Sequence, residues 1–217
     1  MRALIALIAV LVLVAGCGGG DDDATGAGDD TTGATECADV DAPEAREPER
    51  GEAPLAFLEA SKTYTLIFDT SCGSFTVTLD PELAPKTAAS LVALANAGYF
   101  DDTIFHRVVP GFVIQGGDPT QSGGGGPGYS TVDVPPAGSA YTQGVVAMAK
   151  SGVEAPGTSG SQFFVVTGAD AGLPPEYAIV GEVTDGMDTV LRIDALGVGD
   201  GPPSQPVVVN TVTVGES

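Results

Sequence analysis

A single histidine, three cysteines and eight basic residues in a chain of 217 leave several kinds of chemistry without the side chains they require. One imidazole cannot build a zinc site alone, and no group of histidine and cysteine has metal-ligand spacing. Against the eight Lys and Arg stand 29 Asp and Glu, a formal net charge of -21. Residues 61–217 hold five basic residues against 16 acidic ones. That stretch has no basic stripe, and nucleic acid is excluded as a partner. Long apolar runs are also scarce. The one from Ala3 to Val14 is about a dozen residues where a bilayer span needs about 20. Directly after Met1 and Arg2, it reads as an export signal and not as a membrane helix.

What is present starts with Val14-Ala15-Gly16-Cys17, which resembles the lipobox of bacterial lipoproteins. That resemblance implies a lipoprotein signal peptide over 1–16, with Cys17 as the acylated first residue of the mature chain. The protein would then sit outside the cytoplasm, periplasmic or on the outer face, joined to the membrane through its lipid only. Acyl chains contribute about 0.8 kcal/mol per buried methylene, and stable anchoring takes more than one chain. Residues 17–60 are Gly, Asp, Thr, Glu, Ala and Pro with few branched or aromatic side chains. Residues 21–60 carry 13 acids against Arg46 and Arg50. Such a segment buries too little apolar surface to offset its ordering entropy and reads as a disordered acidic tether, kept extended by like charge. Residues 61–217 are the size of one domain with its own core. Once Cys17 is assigned to lipid, Cys37 and Cys72 remain as an even pair in an oxidising compartment, which favours a disulfide over two free thiols. Closing that loop would restrain the unfolded chain by about 4 kcal/mol in the entropic model.

Alternating, β-branched runs predict strands at 64–69 and 75–79, joined as a hairpin through Ser71-Cys72-Gly73. Pro85 followed by KTAASLVALANA, with Gly98 as a stop, predicts a helix over 86–97. Further strands are expected at 104–109, 112–115, 144–149, 162–167, 178–183 and 205–214, and a second helix at 187–195 capped by Asp185. About eight short strands and two helices, without regular βα alternation, suit a closed eight-stranded antiparallel barrel capped by the helices. The Gly-rich 116–144 stretch is a long excursion, and long loops in compact domains are usually functional. Its Gly123–Gly128 run matches a dinucleotide fingerprint in letters only. Pro127 interrupts it and no strand-turn-helix frames it, so turn chemistry accounts for the glycines.

An arginine stands inside the apolar run FHRVVPGFVIQGGDP, residues 105–119. Alternation puts Phe105, Arg107 and Val109 on one face, with His106 and Val108 on the other. After the Pro110-Gly111 turn, Val113 and Gln115 share a face. This run, GVVAMA (144–149), SGSQFFV (159–165) and YAIVGEV (177–183) together resemble the cyclophilin family of peptidyl-prolyl isomerases, in order and spacing over nearly all of 62–215. The resemblance implies a barrel with two capping helices and catalysis of X-Pro rotation in proline-containing polypeptides by a monomer without cofactor or metal. It puts Arg107 at the catalytic position and Phe112, Val113, Phe164 and Leu173 on the proline pocket wall. Gln115, Ala149 and Gln162 fall where the substrate backbone is held. Of the adjacent phenylalanines 163 and 164 only one can face a cleft, and the resemblance selects Phe164.

The family pattern is broken at three positions. Lys150 stands where asparagine is common, Gly172 where tryptophan often lies, and Tyr177 where histidine often lies. Contact through the Lys150 backbone survives such a change, and a tyrosine hydroxyl still donates. Losing the indole implies weak cyclosporin binding. A proline-binding scaffold with little turnover, and a lipocalin-like carrier with a barrel cavity, are the competing readings. His106 and Met148 are expected to be structural.

Overall fold

Alternation builds the first hairpin: along β1 (Tyr64–Thr70) and β2 (Gly73–Leu79) nearly every second side chain is buried, as a sheet with one face on a core requires. The structure is a computed structural model that describes residues 36–48 and 50–217. The expected signal peptide at 1–16, the expected lipidation at Cys17 and the start of the expected tether therefore lie outside the described residues. Helix α1 (Pro85–Asn96) follows, with Pro85 in its first turn and Ala84 offering no side-chain cap. The cap comes from far along the chain. Asp133 accepts hydrogen bonds from the Thr87 backbone N and from Thr87 Oγ1, each at 2.7 Å, which meets an orphan N–H and places a carboxylate at the positive end of the helix.

The chain continues through β3 (Thr103–Ile104), β4 (Arg107–Val109), β5 (Val113–Gly116), β6 (Thr131–Val132), β7 (Val145–Met148), β8 (Thr158–Ser159), β9 (Phe163–Val166), β10 (Ile179–Asp185), α2 (Met187–Asp194) and β11 (Val208–Glu216). Among the described residues nine strands join in one antiparallel sheet, in the order β3-β11-β1-β2-β10-β7-β9-β5-β4, and β6 pairs with β8 apart from it. The closed eight-stranded barrel expected from the strand count is corrected here: the sheet curls but stays open. Its two edges, β3 and β4, have strand partners only in β11 and β5 respectively, with one further bridge from Val108 to Gly201. The cause is a break in the single strand expected over 104–109. Phe105 and His106 belong to neither piece, and the remnants are two and three residues long. Such short edges offer little for another chain to pair with.

That break also corrects the face assignment. Phe105 and Val108 are both fully buried, so Phe105 does not share a side with Arg107. Asp185 is the last residue of β10 and not a cap, since Gly186 occupies the N-cap of α2. The core fills the concave side: Phe68, Phe75, Phe105, Ile114, Met148 and Phe163 pack with Leu91 of α1 and Ile193 of α2. The Phe68 and Phe75 rings stack at 4.7 Å.

Part of the tether is attached to the domain, which corrects the reading of 17–60 as disordered over residues 36–48 and 50–51. Cys37 and Cys72 form a disulfide. The Ala38 N–H donates to Ser71 O at 2.7 Å, Arg46 to Pro119 O at 2.9 Å and Gly51 to Pro127 O at 2.7 Å. Composition missed this because the contacts are covalent and polar, and cost no apolar burial. No helix of the described residues is long and apolar enough to cross a membrane.

Candidate active site

The outer face of the curled sheet carries one cross-strand row. Arg107 on β4 faces Gln115 on β5, Gln115 faces Phe164 on β9, Phe164 faces Ala147 on β7, and Ala147 faces Ile179 on β10. Directly paired residues have side chains about 5 Å apart. The period of two sorts the same strands into two environments. Ile114, Met148, Phe163 and Val165 enter the main core, whereas Val113, Ala147, Phe164 and Val166 form a second cluster. Tyr141 joins that cluster fully buried, and Phe112, Ala149, Leu173 and Tyr177 pack on it partly exposed. The pocket residues expected from the sequence, Phe112, Val113, Phe164 and Leu173, are thus brought together. Phe164 and Tyr177 meet edge to face at 5.7 Å.

A tight turn puts Arg107 in this row. Phe112 N donates to Val109 O at 3.0 Å across Pro110 and Gly111, with Gly111 at φ +67°. That is a type II turn, which requires a left-handed residue at its third position. The guanidinium is then held from two sides. Nη1 donates to Gln115 Oε1 at 3.2 Å, Gln115 Nε2 to Gln162 Oε1 at 3.0 Å, and Gln162 Nε2 to Gly125 O at 2.9 Å. On the other side Nε and Nη2 donate to Asp200 at 2.5 and 3.1 Å. The hydrogen bond from Arg107 holds the exposed Asp200 carboxyl below its usual range. Arginine has five N–H donors in a rigid fork. Three of them are spent on these bonds, and two remain for a ligand.

The glycine-rich loop wraps a carboxylate. Asp118, fully buried, accepts from Thr120 N at 2.8 Å, Thr120 Oγ1 at 2.8 Å, Gly123 N at 2.7 Å and Gly125 N at 3.1 Å. Burial works to raise its pKa, but the bonds from Thr120, Gly125 and Gly123 outweigh that and hold it below the ordinary value. Only glycine fits at position 125, where a Cβ would come within 2.0 Å of Asp118 Oδ1. His106 lies beside this loop, its ring against Gly123. The ring feels the charges of both Asp118 and the adjacent Arg107. Burial, the largest influence, lowers its pKa, and Arg107 adds to that against the pull of Asp118 and of nearby Gln162.

Beside the row runs a groove of about 810 Å³, bounded by Gln115, Gln162, Ala149, Gly123–Gly126 and Pro48. Ala149 N donates to Gln162 O at 2.9 Å, which fixes the rim. Lys150 also borders the groove, but its head turns aside to Glu176 at 3.1 Å and over the Tyr177 ring at 5.3 Å. With that side chain buried, only its backbone is left to face a ligand. Gly172 is not among the residues of this groove; it sits in a left-handed turn next to Leu173, its N–H on Asp170 Oδ1 at 2.8 Å. No group of acids, cysteines or histidines suited to a metal occurs among the described residues.

Two functional residues escaped the sequence reading. Asp200 lies 93 positions from Arg107, on a loop without a local pattern. Tyr141 lies in the glycine-rich excursion, where nothing signals burial, yet its hydroxyl donates to Tyr177 O at 2.7 Å and accepts from Tyr177 N at 3.0 Å. A buried tyrosine needs such a partner, and this pair of bonds locks the pocket's far wall.

Comparison with known proteins agrees with this geometry. The family described as cyclophilin type peptidyl-prolyl cis-trans isomerase/CLD matches residues 65–214. The peptidyl-prolyl cis-trans isomerase-like 1 of Aspergillus fumigatus is 43% identical over 132 residues, covering 59% of this chain and 80% of its own length. The protein named "Probable peptidyl-prolyl cis-trans isomerase A" of Mycobacterium leprae is 38% identical over 170 residues, covering 69% and 91%. A crystal structure of a cyclophilin type peptidyl-prolyl cis-trans isomerase from Cryptosporidium parvum has TM-score 0.65 and 30% identity, over 70% of this chain and 98% of the other. A second crystal of that protein was obtained in the presence of the dipeptide Ala-Pro, with TM-score 0.64.

Proposed function

The chain belongs to the cyclophilin-type peptidyl-prolyl cis-trans isomerases, and from that premise we propose that Arg107 is the group that accelerates rotation of X-Pro bonds in proteins exported to fold outside the cytoplasm. An amide resists rotation by about 18 to 20 kcal/mol because its nitrogen lone pair is shared with the carbonyl. Uncatalysed, the prolyl bond turns in tens to hundreds of seconds. When the bond is half turned, the lone pair localises on nitrogen and becomes an acceptor. A guanidinium N–H aimed there bonds the twisted amide and neither planar form, so the contact lowers the barrier and does not merely tighten binding. A charged hydrogen bond of roughly 1.5 to 3 kcal/mol gives about ten- to hundredfold in rate. The remainder comes from gripping the ring against Phe112, Val113, Phe164 and Leu173 while Gln115, Gln162 and the rim at Ala149 and Lys150 hold the chain on one side of the bond. Tyr177 closes the far wall.

The observation that carries this reading is the row Arg107-Gln115-Phe164, which sets a fixed charge with two unspent donors beside an apolar cluster. Arginine suits the task since it does not titrate, and the step forms no covalent bond, so these side chains suffice for it without a cofactor. The Ala-Pro dipeptide of the solved relative supports proline-containing polypeptides as substrates. The reading of the chain as a monomer stays with this proposal.

Lipid attachment at Cys17 belongs to the same proposal. Val14-Ala15-Gly16-Cys17 supports it, and a disulfide at Cys37–Cys72 suits an oxidising compartment. In a fractionation of cells expressing the full chain, Cys17→Ser moves the protein out of the membrane fraction; retention there would contradict the anchor. The isomerase step is tested by cis-to-trans relaxation of a short Ala-Pro peptide. The wild type accelerates it catalytically, whereas peptide binding without acceleration would mean a proline-binding scaffold.

A further inference from the structure

Residues 36–51 precede the span shared with the family, which begins at 65, yet they end at the groove beside Arg107. Their path is defined by a series of anchors. Cys37 is bonded to Cys72, and the Ala38 N–H is held by Ser71 O. Pro43 O accepts from Gln121 Nε2 at 2.8 Å. The Arg46 guanidinium donates to Tyr99 O and lies 5.6 Å from the Tyr99 ring, while its N–H reaches Pro119 O. Gly51 N closes on Pro127 O. Three of these anchors, at Pro119, Gln121 and Pro127, fall on the same glycine-rich loop that supplies Gly125 O to Gln162. Between the last two, Pro48 comes to line the groove itself.

We propose that residues 36–51 are a disulfide-anchored strap forming the outer wall of the substrate groove, so that the strap selects which residues flanking the proline the enzyme accepts. This rests on the isomerase reading above. The groove shares Gln115, Gln162 and Ala149 with the candidate site, so a chain whose proline sits on Phe164 continues into it. Its lining also includes Thr120, Ser122, Gly123–Gly126, Tyr129, Ser151 and Glu154. A polar, glycine-rich surface of this kind leaves room for the backbone of an extended polypeptide. Pro48 is the residue of this segment that lines the groove. The cystine ties this wall to the oxidised state of the protein.

The test uses the full chain and two substrates, a blocked Ala-Pro dipeptide that fills only the pocket and a peptide extended by several residues on both sides of Ala-Pro. Release of the strap in Cys37→Ser/Arg46→Ala is read independently as faster hydrogen exchange of the Gly51 amide, which is bonded to Pro127 O in the docked state. The strap wall predicts that KM for the extended peptide rises about fivefold, the loss of one or two modest contacts, with kcat unchanged and the dipeptide unaffected. Equal changes for both peptides, no change in KM once the Gly51 amide exchanges fast, or a Gly51 amide that stays protected in the double variant would each overturn the proposal. A wild type that turns over neither peptide would instead refute the isomerase reading beneath it.

Discussion

Replacing Gln115 with leucine keeps the bulk of the side chain and removes only its amide. In the wild type that amide accepts from Arg107 Nη1 at 3.2 Å and donates to Gln162 Oε1 at 3.0 Å. Gln162 keeps its bond to Gly125 O, so the loop stays in place and the loss is confined to the guanidinium. Arg107 is then fixed by Asp200 alone, whose carboxylate is exposed and draws the fork toward solvent. The cost in stability is small, about 1 kcal/mol for one modest, partly buried bond. The cost in rate is larger, because the catalytic contact is directional. If misorientation forfeits half of a charged hydrogen bond of roughly 1.5 to 3 kcal/mol, kcat drops about four- to twelvefold, with KM within about twofold. Saturation kinetics on an Ala-Pro peptide, followed by exchange between the cis and trans signals, separates the two constants. A Gln115→Leu enzyme with kcat within about twofold of wild type would refute the argument that this amide aims the arginine.

Tyr141→Phe leaves the N–H and C=O of Tyr177 without the hydroxyl that serves both; it should cost about 1 to 3 kcal/mol in urea unfolding, and an unchanged midpoint would show that water replaces the hydroxyl. His106 has a lowered pKa, chiefly from burial, so the unfolded chain takes up a proton at a higher pH than the folded one. Stability is therefore full above the unfolded value near 6.5 and declines as pH falls below it toward the folded value. The melting temperature should drop across that window in the wild type and less so in His106→Gln; equal slopes would assign the effect to other groups. Thiol titration of the denatured, unreduced protein lacking Cys17 should find no free thiol, and two would contradict the Cys37–Cys72 pairing.

Local pattern carried much of the fold. The period of two in β5, β7 and β9 was enough to divide Phe163 from Phe164 and Ile114 from Val113, and Pro85 with Gly98 bracketed α1. The resemblance then singled out Arg107, and the sheet register explains why Gln115 and Phe164 accompany it. What stayed hidden depends on contacts distant in sequence. The bend at Phe105-His106 is held by Val207 O on the Phe105 N–H and by Gly201 O on the Val108 N–H, and no property of FHRVV announces it. Asp200 and Tyr141 acquire their roles only when loops about a hundred and about 36 positions away come to rest. The strap read as tether because composition measures burial, and this segment is fixed by a cystine and scattered polar bonds.

The central claim is that the guanidinium of Arg107 stabilises the half-rotated bond and contributes little to holding the planar one. The most direct measurement is kcat of Arg107→Ala for an Ala-Pro peptide, taken beside the Kd of the same peptide. The account predicts kcat lower by about ten- to hundredfold with Kd within about threefold of wild type. A variant that binds more weakly in proportion to its lost kcat/KM, while kcat holds, would contradict it.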